Sequence, residues 1–140
     1  MILTIETALR GAADILRDRI APAVDDTFVG ETARLAGMLL RMNADWVDDA
    51  AAIRVAENAV LRALFADARS VVSDASLAAR LAEAAQSGDP GLRVSELDRE
   101  SNRLRGLLTD LHLHVEASDR SFDQRIWRLL EDFEAARAPR

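Results

Sequence analysis

The sequence predicts an all-α protein, an antiparallel up-and-down helical bundle of four or five main helices with one short extra helix. Three observations lead there. Turn punctuation is sparse, with six glycines and three prolines in 140 residues, and the stretches between them are rich in the helix formers Ala, Leu, Arg and Glu. Apolar residues recur at steps of three and four, the period of one helix face. No segment alternates apolar and polar residues as a half-buried strand does.

The first helix is expected to open at Thr4, an N-cap type, and to carry Ile5, Leu9, Ala12, Leu16 and Ile20 on one stripe. Pro22 has no amide hydrogen to donate, so this helix kinks or stops there. A second helix carries Phe28, Leu35, Leu39, Met42 and Trp46. Asp48 and Asp49 sit where a cap belongs and open a third, with Ile53, Val60, Leu64 and Val71 inward. A short helix around Ser76–Gln86 follows, and Ser87-Gly88-Asp89-Pro90-Gly91 is the strongest loop signal. The next helix is the clearest: Val94, Leu97, Ser101, Leu104, Leu108, Leu111 and Val115 form three heptads of a and d positions. Ser121 and Gln124 have capping-box spacing and precede a last helix burying Phe122, Ile126, Leu129 and Phe133. Short connections place consecutive helices antiparallel.

Residues 1–140 have the length of one domain. With 49% hydrophobic residues the chain can bury a core. No cysteine is present, which excludes disulfides, thiol catalysis and thiolate metal sites. Two histidines and no tyrosine leave little for His-rich metal sites or Tyr chemistry. The net charge of −6 argues against nucleic acid or an anionic membrane as partner. Arg99, Arg103 and Arg105 form a small basic cluster, but Asp98 and Glu100 interrupt it. All basic residues are arginine, and they are scattered between acids. The first residues lack the basic region of a signal peptide, and no apolar run is long enough to span a membrane. A cytoplasmic protein is expected.

Two acids fall on the wrong face. At about 100° per residue, Glu57 projects among Ile53, Val60 and Leu64, and Glu100 among Leu97, Leu104 and Leu111. Each begins the pattern Glu-x-x-x-Leu-Arg-x-Leu followed by Phe65 or Leu108, a likeness that convergence on Leu-rich helix explains. A buried carboxylate is costly unless paired or neutralised. One expectation is that each acid meets an Arg, Asn or Trp N–H on a facing helix and fixes the register, with Asn43, Arg125 and Trp46 as candidate partners. The alternative is a metal-dependent or small-ligand-binding enzyme using the inward carboxylates Glu57 and Glu100. Ferritin-like sites add Glu-x-x-His on two helices, whereas Thr109 and Leu111 stand three residues before His112 and His114.

His112 and His114 point to opposite flanks of the leucine seam, so one straight helix cannot bring both to one ion. His112 with Glu116, and Asp110 with His114, share faces at four-residue spacing and read equally as helix-stabilising pairs. Glu57, Glu100, His112 and Glu116 are the ligand set a metal would use, and two ligands from one helix fall short of a catalytic zinc site. Glu131-x-x-Glu134 and Glu116-x-x-Asp119 stand in the wrong order for an all-helical nucleotide pyrophosphohydrolase. No phosphate loop, nucleophile elbow or dinucleotide fingerprint occurs. No catalytic residue, metal or cofactor is expected.

Trp127 and Leu113 project away from the apolar stripes of their own helices. They are the candidate interface residues, covered either by the short helix or by another subunit. The stretch Glu100-Ser101-Asn102-Arg103-Leu104-Arg105-Gly106-Leu107-Leu108, with Leu111-His112, Val115-Glu116, Ile126-Trp127 and Leu130, resembles a group of short helical bacterial proteins of unknown function. Genes for that group tend to lie near those for acyl-CoA dehydrogenase-like and aminoglycoside-phosphotransferase-like enzymes. The resemblance covers the C-terminal third and implies at most an accessory role beside such an enzyme. The expected function is a non-catalytic bundle acting as a homo-oligomer or with a protein partner.

Overall fold

The computed structural model describes residues 2–138. Among them the fold is all-α, with no strand. The chain divides into two compact units, one running to Ala50 and one spanning Ala51–Ala138.

The first unit is a helical hairpin. Helix α1 (Ile5–Ile15) starts where the Thr4 hydroxyl accepts the Thr7 N–H at 3.2 Å. It loosens into a π turn at Leu16–Ile20 and tightens into a 3₁₀ turn at Ala21–Ala23. Pro22 sits in that last turn, where its missing donor is tolerated, and the chain leaves it extended at Val24. Asp26 then caps α2 (Thr27–Val47), accepting the Val29 N–H at 3.1 Å.

The hairpin closes on small residues. Ala13 and Ala21 from the first arm and Gly30, Gly37 and Ala44 from α2 are its buried positions. A Cβ built on Gly37 would lie 3.1 Å from the Ala13 carbonyl oxygen, so the absence of a side chain is what lets the backbones approach. Arg10 bridges to Asp45 at 2.6 Å and Arg41 to Asp14, tying one flank. The stripe expected inward on α2 is not buried here: Phe28 is 81% exposed, Leu35 53%, Leu39 49% and Trp46 40%, with Met42 half-buried. On the first arm, Ile5, Ala12 and Ile20 are likewise exposed, and Leu9 and Leu16 half-buried. Small residues win the contact because they bring two helices closer than a leucine seam allows.

The second unit holds the core. Helix α3 (Ala50–Asp67) runs into a 3₁₀ turn, α4 (Ala75–Gln86) is capped by Asp74, and α5 spans Val94–Val115. Helix α6 (Arg120–Arg137) is capped by Asp119, which accepts the Phe122 N–H at 2.9 Å. That corrects the expected capping box at Ser121 and Gln124: Asp119 takes the extended backbone a cap requires, two residues earlier. Leu61, Phe65, Leu81, Leu104, Leu111 and Ile126 pack in one apolar cluster. The predicted stripes of α5 and α6 are buried except Val94 at the first position.

Helix α3 is turned from its expected phase. Leu64 is buried as predicted, but Val60 is 45% exposed and Ile53 half-buried, and the inward row is Glu57, Asn58, Leu61, Leu64 and Phe65. Val71 lies beyond the helix and is half-buried. Asn58, which apolar periodicity assigns outward, is fully buried.

Candidate functional site

Glu57 is 3% exposed, inward as its phase predicts. Its partners are arginines from two other helices. Arg137, in the last turn of α6, donates from Nε to Oε1 at 2.7 Å and from its terminal nitrogen to Oε2 at 2.6 Å. Arg105 of α5 donates to Oε2 at 3.0 Å, and its guanidinium lies 5.4 Å over the Phe133 ring. Three helices are thus tied at one carboxylate. Burial alone would raise the Glu57 pKa, but the hydrogen bonds from Arg137 and Arg105 outweigh it and hold the carboxyl below its usual range.

Glu100 belongs to a separate polar network. It accepts from Arg103 at 2.8 Å and from Arg62 at 2.8 Å. The Arg103 hydrogen bond, with that of Arg62, keeps its pKa lowered against partial burial. Arg62 also donates to Asp89 at 2.9 Å and to the Ser87 hydroxyl at 3.2 Å. Asn58 donates to Asp89 at 2.9 Å and accepts from the Ser101 hydroxyl at 2.9 Å. Among the described residues no buried side-chain nitrogen or oxygen lacks a partner, so these groups do not wait for a ligand.

The candidate partners fall elsewhere. Asn43 is exposed and donates to the Leu39 carbonyl at 2.8 Å. Arg125 pairs with Asp67 and lies 5.5 Å over the Phe122 ring. Trp46 is partly exposed in the hairpin. An arginine on a facing helix does meet each acid, as expected, but it is Arg137 and Arg105 at Glu57 and Arg62 at Glu100 rather than Asn43, Arg125 or Trp46. Arg125 is drawn instead to Asp67, and Arg137 grips Glu57 with two parallel N–H donors.

The histidine pairs are also rearranged. His112 Nε2 lies 2.7 Å from Asp123 Oδ1 on α6. Asp110 pairs with Arg80, and His114 Nε2 accepts the Ser73 N–H at 3.3 Å. Among the described residues no group of three or more His, Cys, Asp or Glu side chains is placed to hold a metal.

Two surfaces remain. Trp127 is 55% exposed and meets His112 edge-on, ring centres 5.2 Å apart, while Leu113 is 67% exposed. Between α3 and α6 lies a groove of about 520 Å³ whose wall includes Ile53, Val60, Leu129 and Phe133, with Arg128 and Asp132 beside them. Ile53, half-buried, and Val60, 45% exposed, both open onto it. Most of its wall is apolar, and Glu57 within it is already engaged by Arg105 and Arg137. No family model, curated protein or solved structure matches the chain.

Proposed function

We propose that this chain is a non-catalytic helical interaction protein that works by self-association or by holding a protein partner. The observation that carries the reading is the exposed apolar row of α2, where Phe28, Leu35, Leu39 and Trp46 each stand 40% or more in solvent. Contiguous apolar surface of this kind marks contact sites. No helix among the described residues is long and apolar enough to cross a membrane, and a protein partner is the cover proposed for the row. An accessory role beside an enzyme is consistent with this.

The competing reading, a metal or small-ligand enzyme built on Glu57 and Glu100, is weakened by the arginines that occupy both carboxylates. Light scattering across a concentration series tests the proposal. The expected result is a mass above that of one chain, or a stoichiometric complex with a purified protein partner. A strict monomer that binds no protein, together with stoichiometric divalent metal by elemental analysis that is lost in Glu57→Gln, would overturn it.

A further inference from the structure

We infer that α2 pairs with α2 of a second copy of this chain, along the row Phe28, Thr32, Leu35, Leu39, Met42 and Trp46. The inference rests on the interaction reading above and names its partner. These positions step by four and three over the whole helix, the a and d places of a coiled-coil seam. No charge interrupts the row. Its single polar member, Thr32, donates its hydroxyl to the Phe28 carbonyl at 2.8 Å and needs no further partner.

The opposite face of α2 is already used. Gly30, Gly37 and Ala44 recur every seven residues and are buried in the hairpin. A hairpin whose buried positions are alanine and glycine gains little from burial against the entropy of ordering it. A second apolar layer is what such a unit lacks. With Val29 and Met38 at 48% and 53% exposure beside the row, the face offers on the order of 600 Å² of side-chain surface, close to the ~800 Å² one partner gives a standard interface.

The surroundings select a like partner. A two-fold contact must be complementary to itself, and Val29, Ala36, Met38 and Asn43 along the flanks carry no charge. The two acids there, Glu31 and Asp45, are held by Arg34 and Arg10 of the same chain. Like charges therefore do not meet unpaired when two copies approach, and no unmatched basic or acidic stripe calls for a partner of opposite sign.

Sedimentation velocity over a concentration series tests this on the full chain carrying Trp127→Phe, which leaves Trp46 as the sole fluorophore. The expected result is a concentration-dependent dimer whose Trp46 emission shifts to the blue as it forms. Leu39→Glu, a good helix former at an exposed site, should weaken the dimer by at least about 100-fold with helix content unchanged. Thr32→Leu should tighten it by about tenfold, and this variant decides the matter if Leu39→Glu fails to fold. A wild-type chain monomeric at every concentration overturns the inference. A dimer indifferent to both substitutions overturns the α2 pairing while leaving the interaction reading in place.

Discussion

The hairpin that ends at Ala50 and the unit of Ala51–Ala138 are both helical, yet they spend their apolar residues in opposite ways. The second unit buries leucines, phenylalanines and a fully bonded polar network. The first buries alanines and glycines and leaves Phe28, Leu35 and Leu39 in solvent. Amphipathic helices alone do not make a self-sufficient core; what decides is which face the first neighbour takes.

The comparison can be broken most forcefully in the second unit. Leu111→Ala removes a fully buried side chain and should cost about 3 kcal/mol, measured by denaturant melts in Trp46→Phe protein so that Trp127 reports this unit alone. Leu35→Ala, followed by Trp46 in Trp127→Phe protein, should cost under about 1 kcal/mol at concentrations where the chain is monomeric. Comparable losses at both positions would erase the distinction.

Next in size is the arginine clasp. Removing Arg105 and Arg137 together leaves Glu57 buried without a counter-charge, at a cost of about 3 kcal/mol near neutral pH. The pH dependence should reverse with it. In the wild type the Glu57 carboxyl is held low, so its contribution is present above the unfolded value of about 4.3 and fades as pH falls through the lower native value. In the double variant the native pKa lies above the unfolded one, so acidification should recover part of the loss. Melts of both proteins down a pH series check this, and parallel curves would refute the clasp.

The smallest effects sharpen the account of the hairpin. Gly37→Leu must push the Ala13 carbonyl away and should destabilise the first unit by about 1–3 kcal/mol. Gly30→Ala, whose Cβ would meet the Ala21 carbonyl oxygen at an ordinary 3.4 Å, should stabilise the same unit by up to about 1 kcal/mol through lower helix entropy cost. Thermal melts of Trp46 fluorescence distinguish the two, and equal effects would mean that close backbone approach does not define this contact.

Much of the helix plan was legible because caps and breakers act locally: Thr4, Pro22 and the glycine-rich loop mark the observed ends. The α5 and α6 stripes were legible because their leucines, isoleucine and phenylalanines lie on single faces. The turn of α3 was not. Asn58 becomes an inward residue only because Asp89 and Ser101, far along the chain, supply its partners, and periodicity has no access to that. The inward pointing of Glu57 followed from helical phase, but Arg137 lies 80 residues away in sequence. No local spacing joins them. In the hairpin, counting only large side chains hid the seven-residue recurrence of Gly30, Gly37 and Ala44, a signal present in the sequence from the start.

The connection from Ser87 to Arg93 looks like the natural place to graft a tag or open new chain ends, being rich in Gly, Pro and Ser. Its Asp89 and Ser87 are gripped by Asn58, Arg62 and Arg103 from two helices. A circular permutant cut there would release those grips and expose the polar groups they satisfy. A cut at Val24–Asp25, in the connection between the two arms of the hairpin, lies outside that web and would leave those grips intact.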